Sequence, residues 1–467
     1  MRTETDMLGP VELPDEVYYG AHTARALQNF PISGTPIHPM LVRALVTVKK
    51  AAALTNRDIG ALPARVADAI AAACDEILGG ALADQFVVDA LQGGAGTSAN
   101  MNVNEVLANR ACELLGGEKG DHSLVHPLDH VNRSQSTNDV FPTAVRLAAI
   151  WMLKLVTERF AQLQTALQEK ERAYAEILKV GRTELQDAVP VTLGQEFGAW
   201  AQAVSRDRWR LYKAEERLRQ VGLGGTAVGT GLAAPQEYVF GVVEKLRELT
   251  GLGLARAEYM MDPIQNCDVF VEVSGLLKAA AVTLAKISAD FRLLSSGPRA
   301  GLGELKLKPL QAGSSIMPGK VNPVAAEAMN QAAFQVMADD LAVTLAAQAG
   351  QLELNAFLPL IAKNLLEMLG LFGRALPLFA DCVRGAQADE SRCAALLEGS
   401  LSTATALSGV LGYDAASALA KECAATGESV RQAALRRGLL PPERLDALLK
   451  PEVMTRPGVP GREENGL

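Results

Sequence analysis

An all-α protein organised around a bundle of long helices is the fold class this sequence predicts, and three observations predict it. From Thr143 to Val180 there is neither glycine nor proline. Within that stretch Val145, Ala149, Met152, Val156, Phe160, Leu163 and Leu167 recur at spacings of 4, 3, 4, 4, 3 and 4. That is the narrow stripe of helices packed nearly parallel. Further long helical segments follow at about 191–221, 263–295, 320–349 and 353–385, joined by short glycine-containing loops, as in a bundle.

In chain order, the first ~140 residues read as short helices alternating with Gly-, Pro- and Asn-rich loops. Helices are expected over 63–79 and 98–115, the second opening on Gly96-Thr97-Ser98 as its N-cap cluster. Pro142 marks the change of character. The stretch after it, at ~1.5 Å per residue, makes a rod of roughly 57 Å. Pro359 and Pro377 are expected to bound or kink the last long helix. The charged run from Arg206-Asp207-Arg208 to Glu215-Glu216-Arg217 reads as a solvated helix face. From about 395 onward a smaller helical unit follows, and the tail from Pro451 to Leu467 reads as mobile.

Composition narrows the function. The chain has 467 residues, 49% of them hydrophobic and 21% charged, so it is long enough to bury its own core. Lys and Arg number 45 against 53 Asp and Glu, a net charge of −8, which argues against non-specific nucleic-acid binding. No run of eighteen uncharged apolar residues occurs, so no membrane span is expected. The charged N-terminus lacks the apolar core of a signal peptide. The six cysteines form no CxxC pattern and read as buried thiols in a reducing cytoplasm.

All five histidines lie in the first 130 residues. HExxH is absent, and a histidine base is not the first expectation. Two glycine motifs are decoys. Residues 222–227 match GxGxxA but follow a long helical segment where a dinucleotide fingerprint needs a strand. The run from Gly313 to Lys320 has five residues between its glycines and Val321 where a P-loop needs Ser or Thr.

Four polar clusters are read as sitting before or at helix starts: Thr97-Ser98, Ser136-Thr137-Asn138, Gly181 to Glu184, and Gly313 to Asn322. Helix N-termini carry free N–H groups and the positive end of the dipole, so they favour carboxylates. One such cluster is an ordinary N-cap. Four on one chain of long helices point to a site for a small polyanion.

The segment GSSIMPGKVNP, residues 313–323, is more specific, and here the sequence resembles the fumarase/aspartase superfamily. The resemblance extends through EVYYGAHTARALQNFPIS, QGGAGTSANMNVNEVLAN, HVNRSQSTND, GRTELQDAVPVTLGQEF, LLSSGPRAGLGE and ESVRQAALRRGLL. It implies a three-domain subunit, here divided at 1–141, 142–394 and 395–467. It also implies a homotetramer with a twenty-helix core, whose composite sites are each shared between three subunits. YYGAHT, LLSSGPRAGL and AGQLELN are nearer the wording of the aspartase branch than that of class II fumarases. The reaction implied is reversible deamination of L-aspartate to fumarate and ammonia. A fumarase, or a C–N lyase on another aspartate-like amine, is the alternative, and a silent helical scaffold is the alternative from another class.

By the same resemblance Ser314 is the base. Lys320, Asn322 and Thr183 hold the reacting carboxylate. Thr97, Ser136, Thr137 and Asn138 hold the other carboxylate and the amino group. Ser315, Ile316 and Met317 lie on a closing loop. No organic cofactor and no metal ligand is implied, although some members respond to a divalent cation. Two places depart from the pattern. Glu184 stands where relatives have His or Gln, and could hold the substrate ammonium, share a proton with Glu327, or form a salt bridge elsewhere. Leu407 to Tyr413 also differs, which leaves substrate range open.

Overall fold

The computed structural model describes residues 1–461. It is all-α apart from four small two-stranded sheets. The chain opens with the hairpin β1 (Arg2–Asp6) and β2 (Gly9–Leu13). The helices α1 (Ala21–Asn29), α2 (Pro39–Asp58), α3 (Ala64–Leu78) and α4 (Thr97–Leu114) follow. Next come the long helix α5 (Thr137–Ala173), the hairpin β3 (Leu178–Thr183) and β4 (Gln186–Thr192), and α6 (Leu193–Leu218). The short β5 (Gln220–Val221) and β6 (Ala255–Arg256) pair in parallel around α7 (Gln236–Thr250). After α8 (Met261–Gln265) run α9 (Asp268–Leu294), β7 (Leu305–Lys306), α10 (Val324–Gln348), α11 (Leu358–Gly385) and β8 (Gln387–Ala388). Six short helices end the chain: α12 (Glu390–Glu398), α13 (Ala404–Leu411), α14 (Tyr413–Thr426), α15 (Val430–Arg436), α16 (Pro442–Leu448) and α17 (Pro451–Met454).

Two compact units share the described chain: residues 1–158, 209–281 and 333–373, and residues 159–208, 282–332 and 374–461. In the first, α2 is a core helix, with Leu45, Val46, Val48, Ala51 and Ala52 fully buried. The N-terminus of α1 is held by Glu105 of α4. Its carboxylate accepts from the backbone N–H of Gly20, His22 and Thr23 and from the Thr23 hydroxyl at 2.6–3.1 Å. Those donors answer the unsatisfied first turn of a helix. Burial nevertheless pushes the Glu105 carboxyl up to about 7. In the second unit three long helices and the turn after α5 meet through edge-to-face and tilted rings: Tyr174, Phe197, Trp200, Phe291 and Phe379, with centroids 4.9–5.7 Å apart. Such rings bury large apolar area and fix mutual orientation. Residues 404–448 carry a small core of their own around Leu407, Leu419, Val430 and Leu445.

Several expectations shift. Of the seven stripe residues in α5 all but Met152 are buried, but the helix runs from Thr137, with Pro142 inside its early turns, and ends at Ala173. A proline that early loses at most one intrahelical bond, so it did not bound the helix. Pro359 does sit at the start of α11, while Pro377 lies inside it. The run beginning at Arg206 is not wholly solvated. Asp207 and Glu215 are buried, and Glu215 pairs with Lys154 and Arg219. One window of α5 reaches a mean hydropathy of 1.5, yet 78% of it is buried inside the fold, as a core helix is. Part of the tail read as mobile has a place: Gln195 donates to the Thr455 carbonyl at 3.0 Å, and residues 462–467 lie outside the described residues. Five of the six cysteines are buried, Cys382 partly so, and all are free thiols.

Candidate active site

The first unit gathers four of the sequence-selected residues at two helix starts. Thr97 is the first residue of α4, after Gly96 in the left-handed region at φ +98°. A Cβ on Gly96 would lie 2.4 Å from the Phe141 ring of α5, so only glycine lets these helix starts approach so closely. Ser136 precedes α5, and its hydroxyl accepts from Asn138 N–H at 3.2 Å. Asn100, one turn into α4, donates to the Thr137 hydroxyl at 3.0 Å. Asn138 donates through its side chain to the Ala227 carbonyl at 2.8 Å.

Behind these residues is a buried polar hub that sequence reasoning missed. Asp139 has no exposed surface. It accepts from Ser136 N–H at 3.0 Å, Gly224 N–H at 2.9 Å and Thr226 N–H at 3.0 Å. Burial pushes its carboxyl up to about 6, against the pull of those three bonds and of Lys49. The Gly222–Thr226 segment, set aside above as a decoy, is therefore tied to the start of α5. Lys49 of α2 donates to the side-chain oxygens of Asn132 at 2.8 Å and Gln135 at 2.9 Å. The Asn132 oxygen also takes Asn100 at 3.2 Å. Burial drives the Lys49 amine down to about 7, with the Asp139 charge opposing. The signal for Lys49 was present in the sequence: it shares a helix face with Leu45 and Ala52, both core residues.

The second unit carries the remaining candidates on a loop and a hairpin. Gly313 N–H donates to the Lys320 carbonyl at 2.9 Å, and the Asn322 side chain donates to the Gly313 carbonyl at 3.0 Å. These bonds close the loop into a compact curl. A Cβ on Gly313 would meet the Lys320 oxygen at 2.5 Å. Within the curl the Ser314 hydroxyl oxygen accepts from the backbone N–H of Ile316 at 3.2 Å and of Met317 at 3.0 Å. Ser315 and Lys320 are exposed, Ile316 is 84% exposed and Met317 49%, so the curl stands open. Lys320 forms no ion pair among the described residues and remains an available cation.

Thr183 and Glu184 are not at a helix start, contrary to expectation. They occupy the tip of the β3–β4 hairpin, where Thr183 pairs with Gln186 and the helix begins only at Leu193. Glu184 and Leu185 both have left-handed backbones, at φ 54° and 63°. A two-residue turn of this kind normally selects Asn and Gly, so this one is strained. Glu184 is exposed and has neither a partner in Glu327 nor a salt bridge among the described residues.

Two acyl-facing chemistries follow from such parts. Hydroxyls and amides at helix starts receive a carboxylate. A serine oxygen under two N–H dipoles has its alkoxide form favoured. Among the described residues no group of three or more His, Cys, Asp or Glu is arranged to hold a metal ion.

A family profile described as "Lyase" matches residues 9–338, and one described as "Fumarase C C-terminus" matches residues 404–456. Curated aspartate ammonia-lyases are similar along nearly the whole chain. That of a Bacillus species is 46% identical, covering 99% of both chains. That of Escherichia coli K12 is 46% identical over 98% of this chain and 96% of its own. Among solved structures, a fumarate lyase:delta crystallin from Brucella melitensis bound to cobalt superposes with a TM-score of 0.94 at 48% identity, over 98% of this chain and 100% of its own. A class II fumarase from Schistosoma mansoni gives 0.92 at 36% identity, over 97% and 98%.

Proposed function

The chain belongs to the fumarase/aspartase superfamily, and from that premise we propose that it is an aspartate ammonia-lyase, converting L-aspartate reversibly to fumarate and ammonia. The proton to be removed lies beside the side-chain carboxylate. Its loss puts a second negative charge on a group already anionic, so the demand is for stabilisation of a dianionic aci-carboxylate. In this reading the Ser314 oxygen takes the Cβ proton, and the electron pair moves into that carboxylate. The aci-carboxylate then collapses to the carbon–carbon double bond and expels ammonia from Cα.

The observation that carries the reading is the pair of N–H donors on the Ser314 oxygen. Hydrogen bonds to a charged group contribute about 1.5–3 kcal/mol each. Two such bonds favour the alkoxide over the neutral hydroxyl. That falls short for a serine at neutral pH, which is why the free Lys320 ammonium matters: it both lowers the base and meets the charge growing on the carboxylate, helped by Asn322 and Thr183. Thr97, Ser136, Thr137 and Asn138 take the α-carboxylate and the ammonium. Ser315, Ile316 and Met317 supply backbone contacts as the loop shuts out water. Glu184, an unpaired carboxylate, is assigned to the ammonium, which favours an amine over a hydroxy acid.

No step requires an organic cofactor, and none is routed through a metal ion. The three-domain subunit division and a homotetramer with composite sites belong to this proposal. The homotetramer is supported by the stripe of exposed Phe334, Leu341 and Leu345 on α10, each at least half exposed. Light scattering should give four chain masses. The six free thiols support a reducing cytoplasmic setting.

The deciding experiment offers the purified protein L-aspartate, L-malate, and fumarate with ammonia, following fumarate absorbance. Fumarate from aspartate is expected. Turnover of malate alone would instead make it a fumarase, and no signal from either would leave a scaffold.

A further inference from the structure

The hairpin that carries Thr183 and Glu184 is held from both sides just below its tip. Arg182 and Asp187 are cross-strand partners, one step down from Thr183 and Gln186. On the β3 side, one guanidinium nitrogen of Arg182 donates to both oxygens of Glu304 at 3.0 Å. Glu304 is fully buried, and Lys179 approaches it at 3.2 Å while also donating to Glu196 at 2.7 Å. The backbone around Glu304 is itself fixed. Its carbonyl accepts from Asp389 N–H at 2.9 Å, and Arg392 donates to the carbonyls of Leu302 and Gly301, each at 2.9 Å. On the β4 side, the buried Ser400 donates through its hydroxyl to Asp187 at 2.7 Å.

On both sides of these two anchors the hairpin is irregular. Glu184 and Leu185 hold left-handed backbones, and the ladder breaks register between Val180 and Arg182. At that break a Cβ on Gly181 would meet the Val189 carbonyl at 2.5 Å. A strained turn on an exposed tip relaxes unless its surroundings over-determine it. The anchors do so from two different parts of the chain: the segment leading to the Ser314 loop, and the C-terminal segment after α12.

We infer that Arg182–Glu304 and Asp187–Ser400 form a two-sided clamp that aims the hairpin tip, and that these four are positioning residues for Thr183 and Glu184. The inference rests on the proposed substrate role of Thr183 and Glu184. The clamp geometry itself is independent of which substrate they touch. Ion pairs that serve only stability are weak devices, since an apolar replacement often matches them. A pair spent on orientation shows itself in turnover.

The test uses the full-length protein and two readouts. Backbone amide exchange over Arg182–Asp187 reads the clamp directly, and steady-state kinetics on L-aspartate read its consequence. In Ser400→Ala the hairpin amides should exchange faster and KM should rise about threefold to tenfold, the effect of one lost hydrogen bond, with little change in kcat. In Arg182→Gln, kcat/KM should fall ~10²-fold, as for a misplacement of about 1 Å. Arg182→Lys should recover part of it, because a single nitrogen makes both contacts. Should Arg182→Gln lose its fold, Ser400→Ala decides alone. Unchanged exchange in a folded Ser400→Ala overturns the clamp, and so does faster exchange with unaltered kcat/KM. A wild type inactive on aspartate defeats the substrate reading only, and exchange still decides the clamp.

Discussion

In the proposed reading the cluster at the starts of α4 and α5 and the curl around Ser314 meet the same problem, presenting N–H and hydroxyl groups to an anion, with opposite economies of structure. The first is cross-tied: Asn100 to Thr137, Asn138 to Ala227, Asp139 to three backbone N–H groups, and Lys49 beneath. All of these ties but the exposed one from Asn138 are buried or partly so. The second is held by a few bonds of its own backbone and Asn322, and exposes most of its side chains. The difference teaches where each kind of group belongs. On the proposed assignment, a carboxylate that does not react is met by a finished receptor, whereas the base must reach a carbon and then release a product, a task suited to a loop with few outside ties.

The comparison breaks most visibly at Ser314. Ser314→Ala should lower kcat by about 10³-fold or more, the scale of general-base loss. KM should change by a factor of a few, with no shift in thermal unfolding, because the side chain holds nothing but its own loop. A parallel loss of stability would show the curl to be as integral as the other pocket. Gly313→Ala is next. The added methyl must push the Lys320 carbonyl, and a displacement of about 1 Å costs ~10²-fold in turnover, again without a change in unfolding.

The contrast sharpens with Lys49→Met, where stability and not chemistry should respond. The folded amine sits near 7, and the unfolded one at its ordinary 10.5. Between those values the unfolded chain binds the extra proton, so this group makes the protein more stable as pH rises from about 7 towards 10.5. Unfolding midpoints measured across that range should lose this increment in Lys49→Met. The smallest effect is expected for Gly319→Ala. Its φ of +79° disfavours a side chain, but nothing lies within 4 Å of the new methyl. A local strain of about 1–2 kcal/mol in an open loop should alter kcat by less than about fivefold and leave unfolding unchanged.

The sequence revealed the long helices because their buried stripes are periodic, and it pointed to the Ser314 loop only through the resemblance of GSSIMPGKVNP to the fumarase/aspartase superfamily. It hid what depends on tertiary company. Asp207 and Glu215 looked like solvent-facing charges until their neighbours covered them. Lys49 was masked by the apolar helix around it, and Asp139 by the more conspicuous residues just before it. The hairpin was misplaced because Gly181 to Glu184 has the composition of a helix start. Only the left-handed pair at 184 and 185, a backbone choice that their side chains do not advertise, turns it into a reversal. The two-residue strands elsewhere are too short to leave any alternation to detect.

That reversal has a consequence for how such a protein changes over evolutionary time. In the inferred clamp its backbone is imposed from below, so position 184 can be exchanged among the residues that accept a left-handed backbone with little regard for the scaffold. Chemistry at the tip can be rewritten one codon at a time, with the helices underneath serving as an indifferent chassis.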